Sequence, residues 1–264
     1  MSKQDKATTL ITGASGGIGE ALAREFAAHG HDLILVARSS DKLQAVADDL
    51  SGKHSIKCTV LTADLSDPTV AVELRDTLQA QGIKVGILVN NAGLLYEGAF
   101  QDIDAIDHHR LMQVNIGAVT AMCHSFLPAM LKRGAGRVMN LASTSSFQPV
   151  PYLASYGASK AYVLSFSEAL NIELKGTGVT VTALCPGFTE TDLIVKEDGG
   201  AMKIPFVRNM TAVEVAAEGY AACMAGKPIF INGAANRALV EAGRHQPRWL
   251  QRLILDQVSK RGIK

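Results

Sequence analysis

The chain has 264 residues, 19% of them charged, and a net charge of +1, so it carries no overall field for attracting nucleic acid or an anionic membrane. Its length and 47% hydrophobic content allow one large core that buries roughly 75% of the unfolded surface. Cys58, Cys123, Cys185 and Cys223 are scattered with no CxxC pair, and no histidine stands at zinc-ligand spacing, which excludes a disulfide scaffold and a zinc module.

The N-terminal stretch "MSKQDKATTLITG" has an apolar run too short for a leader or a membrane span, and the four cysteines read as reduced; a cytoplasmic protein is expected. Short apolar runs then alternate with longer amphipathic stretches: "TTLIT", "DLILVA", "IKCTVLTA", "VGILVN", "GRVMNLAS", "VTVTALCPG" and a last short "PIFING" near 228–233. Runs of this kind mark buried parallel strands, and their alternation with helices marks βαβ units. The expected fold is α/β: a Rossmann-like, doubly wound, mostly parallel seven-stranded sheet with helices on both faces. No repeat or linker divides the chain, so a single domain is expected over 1–264. Ser66 and Asp67, before Pro68, are cap candidates for a helix through "TVAVELRDTLQAQG", which closes on Gly82.

Strand one runs into "TGASGGIG" and then into the amphipathic "EALAREFAAHG". Gly13, Gly17 and Gly19 let the backbone turn tightly, and with Ser15 and Ile18 they bring amide groups and a helix N-terminus to a pyrophosphate. About 20 residues beyond the first glycine stands Asp32, where an acidic ribose reader is expected by counting. Asp32 begins its strand, however, which puts it roughly 20 Å from the carboxyl end where ligands bind. At that end stands "ARSSDKL". Arg38 there suits a 2′-phosphate held bidentately, with Ser39, Ser15 and Lys42 assisting, so NADP(H) is expected over NAD(H). The plain alternative is a solvated arginine.

These residues, with "ADL" at 63–65, "NNAG" at 90–93, Asn115, Ser143, "YGASK" at 156–160 and "PGFTET" at 186–191, resemble the short-chain dehydrogenase/reductase family in its shorter, single-domain branch. The motifs occur in family order over residues 7–233. The resemblance implies that Asp64 and Leu65 border the adenine, that Asn91, Ala92 and Gly93 line the cofactor, and that Pro186, Gly187 and Thr189 border the nicotinamide end. It also implies a catalytic tetrad of Asn115, Ser143, Tyr156 and Lys160, with Tyr156 and Lys160 touching the cofactor as well. Lys160 then binds the nicotinamide ribose and Asn115 holds a water that relays protons.

The residue types suit the chemistry. Reducing a carbonyl needs a hydride from one side and a proton for the oxygen. A free tyrosine, with pKa about 10, is a weak acid, and a neighbouring ammonium lowers that value. Tyr156 and Lys160 are one helical turn apart, and no other tyrosine has a lysine at plus four. Ser143 ends its strand at the ligand-binding edge; Ser145 and Ser146 offer the same chemistry, and the thirteen-residue step from Ser143 to Tyr156 selects Ser143 on the resemblance. Read without the resemblance, Asn115 is an amide satisfying helix backbone.

A substrate lid is expected over 188–210, hinged at Gly199 and Gly200. Leu193, Ile194, Val195, Met202, Ile204 and Phe206, with Leu94, Leu95, Tyr96, Phe147 and Tyr152, suggest an apolar pocket for a lipophilic carbonyl or alcohol; Leu95, Tyr152 and Leu193 are the named pocket candidates. The tail from 244 to 264 carries six basic residues against Asp256, with Trp249, Leu250, Leu253 and Ile254 on one helical stripe. It is expected to pack on this chain or on a second subunit of a homodimer or homotetramer, with weak membrane-surface contact as the alternative. His108 and His109 lack ligand spacing, and no metal and no nucleic acid is expected. The reading is an NADP(H)-dependent carbonyl reductase or alcohol dehydrogenase; a non-catalytic NADP(H)-sensing protein on the same scaffold is the competing one, and an epimerase or dehydratase would need a larger substrate domain.

Overall fold

A computed structural model gives the structure of residues 7–190, 209–247, 249–253 and 255. The strands are β1 (Thr8–Thr12), β2 (Leu33–Ala37), β3 (Cys58–Thr62), β4 (Val85–Asn90), β5 (Gly136–Leu141), β6 (Val179–Cys185) and β7 (Ile229–Ile231). The helices are α1 (Gly17–Ala28), α2 (Ser40–Lys53), α3 (Val70–Ala80), α4 (Ala105–Met112), α5 (Val119–Arg133), α6 (Ala154–Glu173), α7 (Ala212–Met224) and α8 (Ala234–Arg244). All seven expected strands form one sheet in the order β3-β2-β1-β4-β5-β6-β7. Every pairing is parallel, so the sheet is wholly rather than mostly parallel. The order reverses between β1 and β4, which opens a crevice at their carboxyl ends.

Period-two alternation divides the apolar side chains between two cores. On β2, Leu33 and Leu35 join Leu22 and Phe26 of α1, Leu43 of α2 and Val215 of α7 on one face. Ile34 and Val36 face the other way, onto Leu74 and Leu78 of α3 and Met122 and Phe126 of α5. Each fully buried side chain of this size contributes about 1.5–3 kcal/mol of transfer free energy, which is why these runs are apolar throughout.

The cap expectation for α3 does not hold. The helix begins at Val70 with Thr69 at its N-cap. Asp67 instead accepts hydrogen bonds from the Thr69 amide and hydroxyl, and Asp64 accepts from those of Ser66, so both carboxylates fold the preceding turn. Gly82 closes the segment at φ 69° as expected. From Ala105 to Arg133 the chain is one continuous helix with a π-helical turn over Gln113–Ala118. It is long and apolar enough to cross a bilayer, but 56% of its most apolar window is buried in the protein, where it packs against β4 and β5.

Of the expected lid, only the ends lie within the described residues: Thr189–Glu190 and Met210–Thr211 pair as a short parallel ladder. Leu193, the other apolar lid residues and the two hinge glycines lie outside them, as do Arg248, Ile254 and 256–264 of the tail.

Candidate active site

The glycine loop is fastened to the end of β4. Gly13 and Gly17 have φ of 67° and 56°, which favours glycine at both. A Cβ on Gly13 would lie 2.8 Å from the Asn91 amide nitrogen, and one on Gly19 would collide with the Gly13 carbonyl. The Thr12 hydroxyl accepts from the amides of Asn91 and Ala92 at 3.0 and 3.1 Å, and the Asn91 side chain donates to the carbonyls of Thr12 and Gly13. Asn91 therefore braces the loop from behind. It does not line the cleft in front, as expected of it, whereas Ala92 and Gly93 do.

That cleft measures about 330 Å³. It gathers Gly13, Ser15, Arg38, Ser39, Lys42, Asp64, Leu65, Ala92 and Gly93, residues separated by up to 80 positions in sequence. Gly17, Ile18 and Gly19 instead form the first turn of α1 behind the loop. Asp32 is remote from the cleft, its carboxylate accepting from the Lys57 amide at the other end of β2. Arg110, which sequence reasoning missed, lines the cleft from α4 and meets the Asp64 carboxylate at 3.3 Å. Hydrogen bonds from Ser66 hold the Asp64 carboxyl below its usual range, and the charges of Arg110 and Arg38 act in the same direction. Arg110 belongs to no motif, and no local pattern in the sequence marks it. A glycine-rich loop at a helix N-terminus, beside a cleft lined by Arg38 and Lys42, fits a dinucleotide.

The predicted tetrad lies past Gly93, which lines the cleft and borders Asn115 and Lys160. Tyr156 and Lys160 project from α6, with Lys160 Nζ 5.7 Å from the Tyr156 ring centre. Ser143 follows β5, and its hydroxyl stands beside the Tyr156 phenol, where it favours the ionised form. Of the neighbouring serines, Ser146 is engaged elsewhere, its hydroxyl donating to the Lys160 carbonyl, while the Ser145 amide donates to the Ser143 hydroxyl. Asn115 lies in the π-helical turn, a feature that often marks functional sites. Its amide donates to the Leu94 carbonyl and the Ser159 hydroxyl, and its oxygen accepts from the Leu94 amide. Both donor hydrogens are thus used in holding the loop after β4 onto α6, the backbone-satisfying role read from the residue alone. A Cβ on Gly93 would lie 3.4 Å from Asn115 Oδ1 and 3.6 Å from Lys160 Nζ, so the bare glycine lets this loop pass close to both.

The electrostatics differ from the expectation for Tyr156. Burial pushes its phenol above the ordinary value, opposed by the Ser143 hydrogen bond, and burial lowers the Lys160 ammonium to about 8. Desolvation outweighs mutual help here because Lys160 Nζ donates to the Leu141 carbonyl at 2.7 Å, while Ser143 is what meets the phenol.

Pro186 follows β6, and its carbonyl accepts from the Thr144 amide, tying it to the Ser143 loop. Gly187 packs against Asn236 of α8, and the Thr189 hydroxyl donates to the Gly187 carbonyl. Tyr152 is at the surface, 41% exposed, and Leu95 is half-buried. His108 bridges the Ser155 hydroxyl and the Phe100 carbonyl.

A cleft at a topological switch point, with the Lys160 ammonium and the Tyr156 phenol just past Gly93 on its wall, marks the class: a hydride-transfer oxidoreductase using a nicotinamide dinucleotide. The model of the short chain dehydrogenase family matches residues 7–199, and the chain belongs to that family. It is 39% identical over 193 residues to a sulfoacetaldehyde reductase of Chromohalobacter salexigens, covering 72% of this chain and 76% of the relative. It is 35% identical over 188 residues to the very-long-chain 3-oxoacyl-CoA reductase of Bos taurus, covering 70% of this chain but only 60% of that longer protein. Among solved structures, a short-chain dehydrogenase from Sphingobium yanoikuyae in complex with NADPH superimposes with a TM-score of 0.79 at 32% identity, over 90% of this chain and 93% of that one. A family member from Burkholderia phymatum in complex with NAD gives 0.78 at 26% identity, over 91% and 94%.

Proposed function

We propose that the protein is an NADP(H)-dependent carbonyl reductase or alcohol dehydrogenase acting on a lipophilic carbonyl or secondary alcohol. The observation that carries this reading is the Lys160 ammonium 5.7 Å from the centre of the half-buried Tyr156 ring, with the Ser143 hydroxyl acting on the same phenol. The bound nicotinamide supplies or accepts the hydride. In reduction the Ser143 hydroxyl holds the carbonyl oxygen, and Tyr156 gives that oxygen its proton. A phenol raised by burial is fully protonated at neutral pH and ready to donate. The phenolate left behind is met by Lys160, which at about 8 remains mostly charged at pH 7. The proton is then replaced from solvent past Lys160 and Asn115, with Asn115 positioning Leu94 and Ser159 around the route.

Arg38, with Lys42 one turn into α2, supports NADP(H) over NAD(H). Lipophilicity is supported by Leu94, Leu95, Tyr96, Phe147 and Tyr152 in the loops after β4 and β5, and by the long-chain substrate in the name of the bovine relative. The exposed apolar residues Ile106, Met112, Tyr162 and Ile172 on α4 to α6 support a homodimer or homotetramer. In the tail, Trp249 and Leu253 stay exposed, a stripe suited to a second subunit or to weak membrane-surface contact; co-sedimentation with liposomes, compared with a truncation after residue 243, distinguishes these. A cytoplasmic location fits four free cysteines.

The test is NADPH consumption over a carbonyl panel. Hydrophobic ketones and aldehydes are expected to turn over better than small polar ones; the reverse order refutes the lipophilic assignment. Cofactor binding with no turnover of any carbonyl makes the protein a sensor.

A further inference from the structure

A second hollow, of about 520 Å³, lies outside the dinucleotide cleft. Its walls come from three places: Ala99, Phe100 and Gln101 after β4; Pro149, Pro151 and Tyr152 before α6; and Arg252 and Leu255 from the C-terminal tail. The volume is that of a small-molecule site, since such pockets run roughly 300–1,000 Å³.

Several observations tie this hollow to the reacting groups. The β4 and β5 loops that form it leave the carboxyl edge of the sheet, on which Ser143 stands. They are joined by the Gly98 amide donating to the Tyr152 carbonyl at 3.0 Å. Val150, between the two prolines, packs on Gly157, the residue after Tyr156. Tyr152 has φ 64°, a conformation unfavourable for a bulky side chain and one that the surroundings must enforce. The Tyr152 ring lines the hollow and is 41% exposed, and Phe100, on the same hollow, is 62% exposed. Two aromatic rings this exposed at one hollow, Phe100 backed on one side by the stacked His108 ring, suit an apolar ligand better than a folding core.

The cation sits at the far wall. The C-terminal segment places the Arg244 guanidinium 5.8 Å over the Phe147 ring, in the turn that follows Ser143, and then brings Arg252 into the hollow itself. Among the described residues lining the hollow, none is ionisable as an acid except the Tyr152 phenol. An arginine across from proline and aromatic walls is the arrangement that holds a carboxylate at the end of an apolar chain.

We propose that this hollow is the distal substrate subsite and that the substrate is a lipophilic carbonyl compound bearing a carboxylate, bound by Arg252, with its apolar body against Phe100, Pro149, Pro151 and Tyr152. The inference rests on the carbonyl-reductase reading and gives its substrate class. It also gives the tail a role as one wall of the site.

The experiment has two arms. In the first, an ω-oxo medium-chain fatty acid and its methyl ester are compared as substrates with NADPH, in the wild type, Arg252→Gln and Arg252→Lys. The wild type is expected to favour the acid in kcat/KM, mostly through KM; Arg252→Gln lowers the acid-to-ester ratio about tenfold, Arg252→Lys restores part of it, and added salt lowers it in the wild type. In the second, decanoate and methyl decanoate, which cannot react, are titrated into the protein saturated with NADP+. Decanoate is expected to bind about tenfold more weakly to Arg252→Gln, with no such loss for the ester. A ratio unchanged by Arg252→Gln, or equal use of acid and ester by the wild type, overturns the subsite. Failure of the carbonyl-reductase reading is distinct: neither compound turns over, while decanoate binding still depends on Arg252.

Discussion

Replacing Arg38 by alanine removes the guanidinium that the account assigns to the 2′-phosphate. Arg38 stands where β2 meets α2 and is exposed, with Lys42 lining the same cleft. Arg110, the other cation there, is already engaged by Asp64 at 3.3 Å and cannot substitute without giving up that carboxylate. A hydrogen bond to a charged group contributes about 1.5–3 kcal/mol, and exposure places this one in the lower part of that range. A loss of about 1.5–2 kcal/mol corresponds to a roughly 10- to 30-fold rise in Kd for NADPH. NADH, which lacks the phosphate, should bind Arg38→Ala and wild type alike. Fluorescence titration with both nucleotides at two salt concentrations measures this, because an exposed phosphate contact weakens with ionic strength. Equal weakening of NADPH and NADH, or of neither, refutes the assignment.

Gly19→Ala should lower the melting temperature and weaken both nucleotides together, since its methyl group would collide with the Gly13 carbonyl; calorimetry and titration check it, with about 1–3 kcal/mol expected for overpacking of this kind. Thr12→Val keeps the shape but strands the amides of Asn91 and Ala92, at a cost of about 1–3 kcal/mol in urea unfolding. Burial holds Lys160 at about 8, below its ordinary 10.5, so above pH 8 the unfolded chain keeps a proton that the folded one has lost, and stability rises with pH. Without cofactor, the wild type should gain about 1 kcal/mol on Lys160→Met between about pH 7 and 9. Taking the difference between the two proteins cancels the buried thiols of Cys123, Cys185 and Cys223, which burial raises to about 12.

The sheet was legible because its inner strands are buried on both faces and therefore mostly apolar; "VGILVN" is β4 residue for residue. The start of α3 was not, because Asp67 before a proline can cap a helix or fold the turn ahead of it, and the choice is tertiary. Motif residues came together in space as their order suggested, yet order did not separate those that face the cleft from those that brace it. Asn91 points its amide at the Thr12 and Gly13 carbonyls, a contact across 79 positions that no local pattern encodes. Arg110 was missed for a similar reason: its significance comes from Asp64, 46 residues away on another loop. The Tyr156 electrostatics were misjudged because a spacing of four residues gives proximity but not burial, and burial dominates here.

The central claim is that Tyr156 delivers and withdraws the proton during hydride transfer. Tyr156→Phe keeps the ring and its packing and deletes only the hydroxyl that Ser143 meets. NADPH oxidation by wild type and Tyr156→Phe, measured on the best carbonyl substrate and alongside NADPH binding, tests it most directly. Affinity for NADPH should stay within a few-fold of wild type, with kcat/KM lower by about 10²–10⁴. Undiminished turnover in Tyr156→Phe would contradict it.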